Sequence, residues 1–126
     1  MSIKKIQTAG APAAIGPYSQ GAVIGNIVAT SGQIPVDPAT GKIPDGIKEQ
    51  AERAFTNLFA VLEAAGVKSE NIVSTRIFLT DINDFAAVNG VYQEFFKEPY
   101  PARTCVAVSA IPKGAKIEIE ALAYKE

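Results

Sequence analysis

The sequence predicts an α+β domain with a six-stranded mixed sheet and two helices on one face. Three observations predict this class. The chain has 126 residues, which suits a single core, so we expect one domain over residues 1–126. Its apolar content of 48% and charged content of 20% are typical of a folded globular protein. Segments of period-two and helical patterning follow one another in the order β-β-β-α-β-α-β-β.

The first three predicted strands lie in the N-terminal quarter of the chain. Residues 3–8 form a short strand candidate, and the following loop is interrupted by prolines and glycines. Residues 22–24 and 27–30 flank Gly25-Asn26, a pair that suits a tight hairpin turn. Residues 35–46 contain three prolines and two glycines, so we predict a loop there.

The first helix is predicted from one apolar face and a stop signal. Apolar residues recur at helical spacing at Ile47, Ala51, Ala54, Phe55, Leu58, Leu62 and Ala65. Gly66 follows the last of them and is the expected C-terminal stop.

The second helix is predicted after a capping cluster. Asp81, Asn83 or Asp84 can cap it, and it ends before Pro99 and Pro101. Its apolar face is Phe85, Val88, Tyr92, Phe95 and Phe96. The dipeptide Asn89-Gly90 is also a hairpin signal, but the helical spacing around it favours the helix.

The remaining strands are predicted over residues 72–80, 104–110 and 116–124. In the first, alternation places Val73, Thr75, Ile77 and Leu79 on one face. Six strands at about 4.8 Å span more than two helices of about 10 Å can cover, so one sheet face is left open. Ser31, Phe78 and Cys105 are expected near that open face, and their mixture with charges favours an oligomer.

Composition excludes several classes of protein. The chain has no histidine, which excludes Ser-His-Asp and Cys-His catalysis and zinc hydrolases. A net charge of −1 argues against nucleic acid as a general partner. One cysteine and no apolar run of signal-peptide or membrane-span length predict a cytoplasmic protein without membrane association.

No cofactor or metal site is predicted. Neither a P-loop nor a GxGxxG motif is present. Asp81, Asn83 and Asp84 resemble the start of a calcium loop, but Ala86 stands where an EF-hand needs glycine, and helix capping explains the cluster better.

Two short C-terminal segments carry candidate chemistry. In PARTC, Arg103 and Cys105 lie on one side of a strand, so a guanidinium and a backbone N–H could bind one carboxylate; a surface ion pair is the alternative. In KIEIEA, Glu118 and Glu120 share a face, and at a subunit interface one of them would have a raised pKa and act as a base. A solvated amphipathic strand is the alternative.

Three further residues are weaker candidates. The hydroxyls of Tyr18 and Ser31 could reach a ligand, or could simply complete turn and sheet hydrogen bonds. Cys105 is a poor nucleophile candidate because no histidine is present to activate its thiol.

Several segments together resemble one family: APAAIGPYSQG, TSGQIPVDPATG, NDFAAVN, YPARTCVAV and KIEIEALA. They are similar to the RidA proteins, the YjgF/YER057c/UK114 family of reactive-intermediate (enamine/imine) deaminases. The similarity extends from Ala11 to Ala123. It implies a chorismate-mutase-like fold and a homotrimer with sites in the clefts between subunits.

The resemblance also implies a reaction and roles for residues. Family members hydrolyse 2-imino acids, formed from enamines that PLP-dependent dehydratases release, to 2-oxo acids and ammonia without a cofactor. Arg103 matches the arginine that binds the substrate carboxylate, Cys105 contributes its N–H, and Glu118 matches the residue that activates water. The remaining pocket positions match Tyr18, Ser31, Gly32 and Asn89.

Two alternatives remain at this point. A ribonuclease or translation inhibitor is disfavoured by the acidic pI, and a non-catalytic metabolite sensor or chaperone-like binder would use the same cleft. The sequence does not show which imino acid is preferred, because selectivity depends on the shape of the cleft between subunits. Alternation alone does not decide which of Glu118 and Glu120 faces the ligand.

Overall fold

The computed structural model describes all residues 1–126 and confirms the predicted element order. The elements are β1 (Lys4–Ile6), β2 (Gly21–Ile24), β3 (Ile27–Thr30), α1 (Ile47–Ala64), β4 (Ile72–Leu79), α2 (Phe85–Phe95), β5 (Ala102–Ala107) and β6 (Ile117–Tyr124). They form one six-stranded sheet in the order β1-β2-β3-β6-β4-β5. Strands β4 and β5 are parallel and all other neighbours are antiparallel, so the sheet is mixed as predicted.

Helix α1 ends as its sequence predicts. Gly66 has φ +78°, a conformation that side chains other than glycine rarely adopt. The N–H groups of Gly66 and Val67 donate to the carbonyls of Glu63 and Leu62, which satisfies two otherwise unpaired helix-end acceptors. The buried face of α1 packs on the sheet around Phe55 and Leu58.

Helix α2 contains Asn89-Gly90, so the helical interpretation of this dipeptide is confirmed. The Asp81 carboxylate accepts from the N–H of Asn83 and caps a short 3₁₀ helix at Ile82–Asp84, which leads directly into α2. The predicted cap therefore stabilises this preceding turn. Aromatic rings join the two helices, because Phe55 makes edge contacts with Tyr92, Phe95 and Phe96.

The predicted face of β4 is wrong at its first position. Val73 is 52% exposed, whereas Ile72 is buried with Thr75, Ile77 and Leu79. The pairing of β4 with β6 shifts register between Ile72 and Ser74, and such a bulge reverses the alternation upstream of it.

Two predicted strands differ from the observed ones by two residues or more. The strand predicted over 104–110 is observed at Ala102–Ala107, starting two residues earlier and ending three residues earlier, because its parallel neighbour β4 ends at Leu79. The segment predicted over 3–8 is strand only at Lys4–Ile6, which pairs with β2.

The open sheet face exists as predicted. Ile117 and Ile119 are buried towards the helices, and Glu118 and Glu120 therefore project from the opposite side. That side also carries the exposed apolar side chains Ile24, Ile27, Val106 and Leu122. Cys105 was expected near this face, but it pairs with Ile77 and packs half-buried against the core under the helices. Neither helix combines the length and apolarity needed to cross a bilayer.

Candidate active site

The residues predicted for the site divide into two groups on opposite faces of the sheet. Arg103 pairs with Thr75, whose buried side chain faces the helices. Glu118 pairs with Phe78 on the open face. Because directly paired residues lie on the same side of a sheet, the sheet separates Arg103 from Glu118 within one chain.

The Arg103 guanidinium is held in place by helix α2. Its Nη1 donates to Oδ1 of Asn89 at 2.7 Å. Its Cζ lies 4.8 Å from the Tyr92 ring centroid and 5.3 Å from that of Phe85, so two aromatic faces support the cation. The surface ion pair considered for Arg103 is not formed. The guanidinium therefore keeps N–H groups free for a ligand.

The aromatic support was missed at the sequence level, although a signal for it was present. Phe85, Asn89 and Tyr92 are spaced i, i+4 and i+7, which places them on one helical stripe. Tyr92 is fixed in turn by a 2.8 Å hydrogen bond between its hydroxyl and that of Thr75. Burial raises the pKa of the Tyr92 phenol, whereas the Thr75 hydrogen bond and Arg103 oppose that rise.

Cys105 offers its backbone N–H at the edge of the sheet. Strand β5 lies at one edge of the sheet, with β4 as its single neighbour. Just after β5, the N–H of Val108 donates to the Leu79 carbonyl at 2.8 Å. Since amide directions alternate along a strand, the N–H groups of Arg103 and Cys105 point away from β4, towards the free edge. Burial raises the pKa of the Cys105 thiol, with Arg103 opposing the rise, so the thiol is not an activated nucleophile.

Beside Arg103 is a cavity of about 430 Å³. Its lining is Asn89, Tyr92, Gln93, Tyr100, Pro101 and Arg103. A ligand in it could meet the guanidinium on one side and aromatic surfaces on the other. Such a combination suits a small carboxylate with an apolar substituent.

The fold raises the pKa of the Glu118 carboxyl group. Burial raises its pKa above the ordinary value for glutamate, and the neighbouring charge of Glu120 raises it further. Glu120 forms an ion pair with Arg76, whereas Glu118 has no cationic partner. Glu118 is therefore the better base of the two.

Gly32 leaves the space that the Glu118 carboxylate occupies. A Cβ at position 32 would lie 1.9 Å from Oε2 of Glu118, so the carboxylate would have to move from its position. The loop is positioned by an isolated bridge in which Gln33 and Ile119 exchange hydrogen bonds of 2.7 and 3.1 Å. This close approach places Gly32 directly beside the Glu118 carboxylate.

Ser31 directly precedes Gly32 in the chain, and Tyr18 lies close to Ser31. The Ser31 hydroxyl donates to the Ser19 carbonyl at 2.5 Å, and the Ser31 N–H donates to that of Gln20 at 2.9 Å. The Tyr18 side chain is 54% exposed and lines the same surface groove as Ser31. Tyr18, on the loop that precedes β2, thus lies next to Ser31, which follows β3.

Two buried amides that sequence reasoning missed hold these loops. Asn57 is fully buried and donates to the carbonyls of Ile34 and Val36 at 3.0 and 2.9 Å. The Gln20 amide donates to the carbonyls of Thr8, Ala11 and Pro12. A polar residue on the buried face of α1 was the available signal for Asn57.

Comparison with known proteins identifies the family. The family model described as Endoribonuclease L-PSP matches residues 8–125. The chain belongs to the endoribonuclease L-PSP family, which is also the RidA/YjgF family. The resemblance inferred from the sequence motifs is thereby confirmed.

Relatives of this L-PSP family chain match it over nearly its full length. It is 52% identical over 125 residues to the 2-iminobutanoate/2-iminopropanoate deaminase of Escherichia coli K12, which covers 97% of this chain and 98% of the relative. A crystal structure of E. coli TdcF with bound serine has a TM-score of 0.93 at 48% identity, covering 98% of this chain and 99% of that one. The yeast protein YEO7 reaches a TM-score of 0.95 at 39% identity, with 99% and 100% covered.

The raised pKa of Glu118 makes a prediction about the stability of this L-PSP family chain. Because the fold favours the protonated carboxyl, the contribution of Glu118 to stability is fully present below its unfolded pKa and is lost as pH rises through its folded pKa. We expect Glu118→Gln to raise the unfolding free energy at pH 7 and to leave it nearly unchanged at pH 4. Urea unfolding at fixed protein concentration measures both. An equal gain at both pH values would contradict the explanation.

Proposed function

We propose that the protein is a 2-iminobutanoate/2-iminopropanoate deaminase, hydrolysing 2-imino acids to 2-oxo acids and ammonia. The observation that carries the proposal is Glu118, a half-buried carboxyl group with a raised pKa and no cationic partner, set against Gly32. The name and 52% identity of the E. coli relative support it. The substrate class is the imines and enamines that PLP-dependent dehydratases release, so the role is removal of reactive intermediates.

Arg103 binds the substrate carboxylate in this proposal. Its guanidinium is already oriented by Asn89 and by the Tyr92 ring, so little conformational entropy is lost when the ligand binds. The outward N–H of Cys105 donates a further hydrogen bond from the strand edge. Together they fix the imine carbon relative to the attacking water.

Glu118 is the general base and then the acid. It takes a proton from water as the water oxygen attacks C2 of the protonated imine, and the resulting carbinolamine carries a hydroxyl and a neutral amine. The same carboxyl gives that proton to the amine nitrogen, and its carboxylate then takes the hydroxyl proton as the C–N bond breaks, so that the carbonyl forms and ammonia leaves. Transfer of this last proton from Glu118 to ammonia or solvent restores the base. No cofactor takes part.

Two copies of the chain supply one site in this proposal. Arg103 and Glu118 lie on opposite faces of the sheet, so one substrate can meet both only at a boundary between subunits. The apolar open face would be buried there. The family resemblance implies a homotrimer, and we propose that these sites lie in the clefts between its subunits. Tyr18, Ser31 and Gly32 would complete the pocket beside Glu118, and Asn89 would do so beside Arg103.

The proposal extends to the domain and its surroundings. Residues 1–126 act as one domain, and the free thiol of Cys105 fits a reducing cytoplasm. The partners are small 2-imino and 2-enamino acids, with neither nucleic acid nor membrane.

The deciding experiment follows imine hydrolysis directly. Threonine dehydratase generates 2-aminocrotonate, semicarbazide traps the imine, and release of 2-oxobutanoate competes with the trap. We expect the protein to suppress trapping in proportion to its concentration. A protein that binds 2-oxobutanoate without suppressing trapping would instead be a non-catalytic binder, and RNA binding with a steep salt dependence would revive the ribonuclease alternative.

Replacing Gly32 by alanine tests the space beside Glu118. The added Cβ forces the carboxylate from its position, so we expect kcat to fall at least about tenfold while KM changes less. Gly90→Ala is the matched control, because a Cβ there meets no atom within 4 Å. We expect Gly90→Ala to keep wild-type activity. Equal activity of the two variants would contradict the assignment.

A further inference from the structure

The open face of the sheet carries one ion pair next to Glu118. Nε of Arg76 lies 2.6 Å from Oε1 of Glu120, and these two residues are direct partners across β4 and β6. The neighbouring pair on the same face is Phe78 with Glu118. The ion pair therefore lies next to Glu118, the base of the proposed reaction, on the same face of the sheet.

Within one chain, few charged groups face Glu118; in the proposed assembly, Arg103 of the adjoining subunit also faces it across the cleft. On β6 they are Glu120 and, just before the strand, Lys116, which forms no ion pair with Glu118. On β4 the facing residues are Phe78 and Arg76. The same face of β5 presents Thr104 and Val106, the adjoining loop presents Ser31 and Gly32, and all four are uncharged. The helices lie on the other face.

We propose that Arg76 is a positioning residue that sets the proton affinity of Glu118 by neutralising and holding Glu120. The proposal rests on the role of Glu118 in the proposed function. Without Arg76, the Glu120 carboxylate would be uncompensated and free to approach Glu118, and a nearby like charge favours the protonated acid. The ion pair would therefore set the lower pH limit of catalysis.

The geometry predicts opposite effects for the two members of the pair. Arg76→Gln should raise the protonation midpoint of Glu118, because it leaves Glu120 unpaired and removes a nearby cation. Glu120→Gln should lower that midpoint, because it removes the like charge whose repulsion contributes to the raised pKa. The double variant should lie between the two single variants.

The experiment titrates Glu118 without requiring turnover. Side-chain carboxyl carbons of ¹³C-glutamate-labelled protein are followed by NMR against pH, and the resonance missing from Glu118→Gln assigns Glu118. We expect Arg76→Gln to raise the midpoint by at least about half a pH unit, and Glu120→Gln to lower it. Lys48→Gln removes a cation from helix α1, on the opposite layer, and should leave the midpoint unchanged.

Activity then provides the second readout. The acid limb of the pH profile for imine hydrolysis should move with the NMR midpoint while the plateau rate is kept. A purely structural ion pair would lower stability or the plateau without moving either midpoint, and an unmoved midpoint in Arg76→Gln would overturn the proposal. If the wild type lacks activity, the proposed function fails, whereas the NMR titration still decides whether the ion pair controls Glu118.

Discussion

Replacing Arg103 by lysine is expected to lower kcat/KM for 2-iminobutanoate by at least about 100-fold, equivalent to about 3 kcal/mol. Lysine keeps the positive charge but cannot present two parallel N–H groups to a carboxylate. It would also lose the planar contact with the Tyr92 ring, 4.8 Å away. The larger part of the loss should be in KM, with a further loss in kcat from misorientation of the imine carbon.

The measurement is the semicarbazide competition assay over a range of substrate concentrations. Arg103→Ala should lose more than Arg103→Lys, and Asn89→Ala should lose less than either, because Asn89 is uncharged and supports the guanidinium through one hydrogen bond of 2.7 Å. Circular dichroism and the oligomeric mass establish that each variant is folded. A lysine variant with wild-type kcat/KM would show that the two parallel N–H groups of the guanidinium are not needed.

Replacing Glu118 by glutamine is expected to lower kcat by about 10²- to 10⁴-fold, the usual contribution of a general acid and base. KM should change little, because the substrate carboxylate is bound by Arg103 and the Cys105 N–H. Glutamine keeps the shape of the side chain and its contact with Gly32, so the loss would report the missing proton transfer. Single-turnover kinetics of imine hydrolysis measure this loss.

Glu120→Gln is the matched comparison for Glu118→Gln. The two glutamates share one strand face, but Glu120 is held by Arg76 at 2.6 Å. We expect Glu120→Gln to keep the plateau rate and to change only its pH dependence. If the two variants lost kcat equally, Glu118 would not be the specific base. Calorimetric binding of 2-oxobutanoate to Glu118→Gln would show that the pocket survives.

Prediction from sequence succeeded where the signal is local. Helix α1 was predicted to within one residue at its end, because its apolar spacing and Gly66 stop signal are contained within one segment. The sheet face that carries Glu118 and Glu120 was predicted in the same way, because these residues alternate with Ile117 and Ile119. The face of β4 failed at Val73, because a bulge depends on the partner strand and leaves no clear local pattern.

The sequence by itself determined the fold class, the family and the residue types from which a site could be built. Only the tertiary structure decided that Arg103 and Glu118 lie on opposite faces of the sheet, that Gly32 makes room for a carboxylate, and that Arg76 reaches Glu120. These relations depend on the register between strands far apart in the chain. Local periodicity does not specify that register, because it is selected by packing of the whole core.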